Sequence, residues 1–149
     1  MAPKRTAVDA KSSAELQTTL PLVCIVTLDL EFLEIVSAEL SPWFQVVIRH
    51  GYDDLARWAR QSSVSAVLLD IDTEGEDSFG GLPVLNELRR LNENYTLISL
   101  SRARARSVER QALDAGADAH FRNPVDVGEL RATLAETLRC TPPAAARPN

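Results

Sequence analysis

Cysteine is almost absent from this chain of 149 residues, with only Cys24 and Cys140. The two lie far apart and without metal-ligand spacing, so neither a disulfide framework nor a cysteine metal site is expected; Cys24 reads as a buried thiol and Cys140 as an incidental one. Long hydrophobic runs are missing too. No stretch approaches the roughly 18 apolar residues of a membrane span, and the polar, basic start MAPKRTAVDAKSS lacks the apolar centre of a signal peptide. Positive charge is not in excess: the net charge is -5 and the sequence pI about 5.0, which gives no general attraction to nucleic acid or to an anionic membrane. Lysine is scarce, since 14 of the 16 basic residues are Arg. There is no internal repeat and no low-complexity block to compete with a single globular fold. With 45% hydrophobic and 25% charged residues, one cytoplasmic domain with a substantial core is expected.

What is present is organised around Val64 to Asp70, VSAVLLD, an apolar run that stops on a carboxylate. Such a run suits a strand covered on both faces, as in a parallel sheet flanked by helices, and places Asp70 at the sheet's carboxyl edge. In an open α/β sheet that edge is where ligands bind, because the strand-to-helix loops gather there.

The rest of the chain alternates around that strand. Residues 1–19 are polar and aperiodic and read as a mobile arm. Pro21 to Val26 is a first strand; Asp29 can cap a helix with Phe32, Val36 and Leu40 on one face. Phe44 to Arg49 is a second strand, and Asp53 and Asp54 open a short helix with Leu55, Trp58 and Ala59 inward. After the strand ending at Asp70 comes the acidic, glycine-containing loop IDTEGEDSFGG, then a helix over about Leu82 to Leu91, a fourth strand from Tyr95 to Ser101 and a helix from about Arg104 to Ala115 stopped by Gly116. A fifth strand, Asp118 to Arg122, reaches Asn123-Pro124. The last helix opens with a capping box at Asp126 and Glu129 and buries Val127, Leu130, Leu134 and Leu138. Residues 140–149 form a Pro/Ala-rich tail or linker. Five strand and helix patterns joined by short connections predict an α/β fold, a doubly wound five-stranded parallel sheet with five helices over residues 20–139.

The alternation, the LLD ending the third strand, the hydroxyl ending the fourth and the stretch AGADAHFRNPVDVGEL together resemble the receiver domain of bacterial two-component response regulators, of CheY-like, flavodoxin-like fold. The resemblance covers about residues 20–139. It implies a phosphoryl group accepted on Asp70, Mg²⁺ held by that residue and an acidic pair after the first strand, a hydroxyl contact to phosphoryl oxygens from Ser101, a further contact from the position of Asn123, a switch residue at His120, and a cis peptide before Pro124. It implies as partners a sensor kinase or downstream effector, and self-association or docking through the fourth helix, fifth strand and fifth helix.

At the chemically critical positions the residues depart from that pattern. Thr27-Leu28 stand where the family has its acidic pair, and the nearest carboxylate is Asp29, which can alternatively be only a helix cap. Asn123 stands in place of a lysine and brings no charge to a phosphoryl group. A bulge could turn Asp29 toward Asp70, and Asp72 or Glu74 could lend an oxygen; otherwise Asp72, Glu74, Glu76 and Asp77 form a solvated loop. Ser101 can serve backbone groups alone, and His120 can be a partly exposed histidine with no special role. Arg102, Arg104 and Arg106 crowd the loop after the fourth strand. Arg102 is expected to pair with Asp70 or Asp29, a guanidinium in place of a metal. The expected function is a receiver-like signalling module, not an enzyme, acting through protein contacts with Mg-dependent phosphorylation lost or altered and no resident cofactor. The alternatives are a working phosphoacceptor with an unusual metal site at Asp29 and Asp70, and a small flavodoxin-like enzyme or nucleotide binder. The last lacks a Gly-rich loop after the first strand, where TLDLEF stands.

Overall fold

In the computed structural model, which describes residues 20–72, 80–91, 94–103, 105–123 and 125–139, strands and helices alternate from end to end. The order is β1 (Leu22–Val26), α1 (Leu30–Leu40), β2 (Gln45–Arg49), α2 (Leu55–Gln61), β3 (Ala66–Asp70), α3 (Gly81–Leu91), β4 (Thr96–Ser101), α4 (Arg106–Asp114), β5 (Ala119–Arg122) and α5 (Val127–Thr137). All strand pairs are parallel, in the order β2-β1-β3-β4-β5. Strand order reverses at β1, so the crevice for a ligand lies beyond the carboxyl ends of β1 and β3. The arm, the tail and Pro124 lie outside the described residues, as do Glu74, Glu76, Asp77 and Arg104.

Alternate residues of each strand feed two cores. Val23, Ile25, Ala66, Leu68, Ile98 and Leu100 pack beneath α1 and α5, against Phe32, Val36, Leu130 and Leu134. Cys24, Val26, Val67, Leu69 and Leu97 face Leu55, Leu85, Leu88, Val108 and Ala112 of α2, α3 and α4. β3 and β4 are buried along their whole length, as a strand covered on both faces must be, whereas the edge strands β2 and β5 are only partly covered. Burial pushes the Cys24 thiol up to about 12, so it behaves as an apolar side chain.

The helix ends follow local chemistry. Asp29 Oδ1 accepts the Phe32 amide at 3.0 Å and caps α1, and Asp126 Oδ1 does the same for α5 with the Glu129 amide at 3.0 Å. α4 ends at Asp114 with Ala115 as its cap, and Gly116 follows at φ +121°. A Cβ there would also lie 2.6 Å from Arg89 Cβ. Asp54 precedes α2 in the left-handed conformation, φ 57°, its side chain makes no cap bond, and it pairs instead with Arg57 at 3.5 Å. The carboxylate is turned away from the helix's first amides by its own backbone, and α2 is held by burying Leu55, Ala56 and Ala59; Trp58 is only half-buried.

Candidate functional site

The register of the sheet brings three loops together. Val26 is level with Leu69, Asp70 with Leu100, and Ser101 with Arg122, so the chain leaves β1, β3 and β4 at one edge. There Asp70 is 9% exposed, and both its oxygens are occupied by hydrogen-bond donors. The Thr27 hydroxyl donates to Oδ2 at 2.7 Å and the Asp72 amide to Oδ1 at 2.9 Å. Thr27 is itself fully buried and accepts the Asp29 amide at 3.1 Å. Behind the carboxylate, the Tyr52 hydroxyl donates to the Asp70 carbonyl at 2.6 Å.

Asp29 serves two neighbours at once. While Oδ1 caps α1, Oδ2 receives Arg102 Nη2 at 3.1 Å, so the guanidinium reaches across from the end of β4. Arg102 is more than half exposed, which limits the strength of the pair to the order of 1 kcal/mol or less. The Phe32 amide, more than the arginine, keeps the Asp29 carboxyl below its usual range. Asp70 moves the other way: burial raises its pKa, against the lowering effects of the Thr27 and Asp72 hydrogen bonds, with the Asp72 charge adding to the rise.

That direction yields a prediction. A carboxyl whose folded pKa exceeds its unfolded value contributes stability below the unfolded pKa of about 3.8, and the contribution is lost as pH rises through the folded pKa. Asp70→Asn removes the ionisation while leaving an amide that can accept from the Asp72 N–H and donate to Thr27 Oγ1. The variant is expected to be about 1 kcal/mol more stable at pH 7, with the gain gone near the unfolded pKa of 3.8. Thermal unfolding at the two pH values checks it.

Asp72 corrects an expectation of solvation. Its carboxylate accepts the Ser101 hydroxyl at 3.0 and 3.2 Å and the Arg102 amide at 2.6 Å, so it is tied to the end of β4. Ser101 therefore serves a side chain as well as its own backbone neighbourhood, where the Ala103 amide donates to its Oγ at 3.0 Å. Asn123 donates its backbone N–H to the Ser101 carbonyl at 2.8 Å. Its side chain lines a groove of about 440 Å³ with Asp29, Arg102, Phe32, Ile35 and Val127, beside the site. His120 sits half-buried on β5, its Nδ1 2.7 Å from Ser99 Oγ. Burial lowers the imidazole's pKa; Glu109 and Asp72 counteract, and Arg122 reinforces. Among the described residues no group of three or more His, Cys, Asp or Glu converges in a way that could hold a metal ion.

Tyr52 and Ser99 were not singled out from the sequence, and Thr27 was named only as a residue standing where a carboxylate is expected, not as the donor to Asp70. Thr27 had a legible signal: it directly follows β1 on the edge that Asp70 shares, where a buried carboxylate needs a donor. Tyr52 and Ser99 had none, because their partners are 18 and 21 residues away.

The fold is that of response-regulator receiver domains. It is similar to a BeF3-activated DrrB receiver domain, with a TM-score of 0.71 at 18% identity over 81% of this chain and 99% of that one. A CheY-like receiver domain protein from Methanospirillum hungatei gives 0.70 at 22% identity over 81% and 95%. The N-terminal domain of the nisin resistance regulator NsrR gives 0.68 at 23% over 80% and 98%. At these identities the likeness is one of fold. No protein-family model matches the sequence, and no curated protein does.

Proposed function

We propose that this chain is a receiver-like module of signal transduction, working through protein contacts, in which Mg-dependent phosphorylation of Asp70 is lost or altered. The observation that carries the reading is the bonding of the two carboxylates where a cation would sit. Thr27 donates to Asp70 Oδ2, and Asp29 is divided between the Phe32 amide and the Arg102 guanidinium. Mg²⁺ demands a nearly octahedral oxygen shell at about 2.0–2.1 Å. A hydroxyl donating to Asp70 Oδ2 and a guanidinium donating to Asp29 Oδ2 do not fit that demand, and Asn123 brings no positive charge to a transferred phosphoryl group. Among the described residues, the cation that pairs with a carboxylate of the site is Arg102.

Protein contact is supported by the surface next to the site. Leu28, Leu30 and Ile35 are 54%, 70% and 51% exposed, and Ile35 lines the groove between α1 and the start of α5. The partner on this reading is a sensor kinase or a downstream effector, with the face of α4, β5 and α5 open for docking or self-association. The working environment is the cytoplasm, and neither nucleic acid nor membrane is a partner.

Incubation of the chain with a small phosphodonor and Mg²⁺, followed by intact-mass measurement, tests the reading. The mass is expected to stay unchanged. A gain of one phosphoryl group that Asp70→Asn abolishes would establish instead a working phosphoacceptor with an unusual metal site.

A further inference from the structure

Ser101 is fully buried at the end of β4, and a buried hydroxyl requires a partner. Its partner is anionic. The hydroxyl is shared between the Asp72 oxygens at 3.0 and 3.2 Å, the Arg102 amide donates to Asp72 Oδ2 at 2.6 Å, and the Ala103 amide donates to Ser101 Oγ at 3.0 Å, polarising the hydroxyl toward the carboxylate. A hydroxyl and a main-chain amide converging on two anionic oxygens make a charge-assisted set, about twice as strong as neutral hydrogen bonds. The anion belongs to the chain itself.

Asp72 is held in that corner from behind. The Ile71 amide donates to the Leu100 carbonyl at 2.9 Å, which keeps the end of β3 alongside β4, and the Asp72 amide is fastened to Asp70 Oδ1 at 2.9 Å. Gly81 closes on Ile71 so tightly that a Cβ there would lie 2.6 Å from Ile71 Cα. The carboxylate is presented by a backbone with little room to withdraw.

We propose that Asp72 is a built-in ligand: its carboxylate occupies an oxyanion corner made by the Ser101 hydroxyl and the Arg102 amide, and keeps the β4–α4 loop engaged without a phosphoryl group. The inference rests on the reading above and deepens it, since it names what stands where an external anion would act. The same corner, emptied of Asp72, takes a small tetrahedral oxyanion. Its charge also reaches His120, where burial lowers the imidazole's pKa and Asp72, with Glu109, partly offsets that lowering.

Backbone-amide NMR on the full chain tests this, with inorganic phosphate as the probe. In the parent, phosphate at about ten millimolar is expected to leave the Arg102 and Ala103 amides unmoved, a concentration that would reveal millimolar affinity. In Asp72→Ala the Arg102 amide is expected to exchange at least about tenfold faster, and phosphate should shift both amides saturably. Asp72→Asn, which keeps the shape and one acceptor oxygen, should fall between and serves if the alanine variant folds poorly. Unchanged Arg102 exchange in both variants overturns the proposal. So does a folded Asp72→Ala that phosphate does not shift, or a parent that phosphate shifts as strongly as the variant. Failure of either kind leaves the phosphodonor result untouched, and a mass gain in the parent would remove the functional reading while leaving the amide measurements on the unphosphorylated chain as they stand.

Discussion

Thr27→Val is expected to lower the stability of the domain by about 3 kcal/mol at pH 7. The side chain is fully buried and valine has nearly its shape, so the loss comes from the hydroxyl. Two groups each lose a bond together: Asp70 Oδ2 loses the Thr27 donor at 2.7 Å, and the Asp29 amide loses its Thr27 acceptor at 3.1 Å. Removing one partner from a buried polar pair costs about 1–3 kcal/mol for each group left behind, with the charged one at the upper end. The pH dependence identifies the cause. The Thr27 bond lowers the Asp70 pKa against burial, so its removal raises that pKa further. The destabilisation should therefore shrink as pH falls through the folded Asp70 pKa, where the carboxyl is neutral in parent and variant alike. Thr27→Ser should retain most of the stability. Chemical denaturation at pH 7 and at low pH measures all three, and a valine variant within about 0.5 kcal/mol of the parent at pH 7 would show that Thr27 is not the group supporting Asp70.

Arg89→Ala should cost a comparable amount, about 3 kcal/mol, far from the site. Arg89 lies in the last turn of α3 with a mostly buried side chain, and it joins three separate segments. Nε donates to the Gly116 carbonyl at 3.0 Å, Nη1 to the Tyr95 carbonyl at 3.1 Å and Nη2 to Asp118 Oδ2 at 2.7 Å, with the guanidinium 5.9 Å from the Tyr95 ring centre. The planar fork serves three acceptors in fixed directions, which a lysine ammonium cannot reproduce. Arg89→Lys should accordingly recover less than half of the loss. Because Asp118 Oδ2 also accepts the Leu97 amide at 2.8 Å, Asp118→Ala should remove part of the same stabilisation, and a double-mutant cycle with Arg89→Ala should be non-additive. Strict additivity would mean that the three segments are held independently of the arginine.

The sequence by itself determined the architecture, because the signals for it are local. VSAVLLD, apolar or small up to its final carboxylate, and YTLISLS, of apolar and small polar residues after its tyrosine, became β3 and β4, in which every residue is buried. The alternation with amphipathic helices leaves a parallel sheet as the arrangement that covers those strands, and the Asp29 and Asp126 caps depend on amides only three residues away. Boundaries moved by one to three residues, as for α4, which begins at Arg106 after an expected start near Arg104.

Only the tertiary structure decided how the carboxylates at the sheet edge are shared out. The Arg102 guanidinium has two acidic candidates in sequence terms and pairs with Asp29, 73 residues away, while Asp70 is served by Thr27, 43 residues away, and Asp72 by Ser101, 29 residues away. Such pairings depend on which strand ends lie level and which atoms lose their water, quantities that exist only once the five strands are in register. A run of residues carries its own period and its own cap. It does not carry the distance from one loop's carboxylate to another loop's hydroxyl.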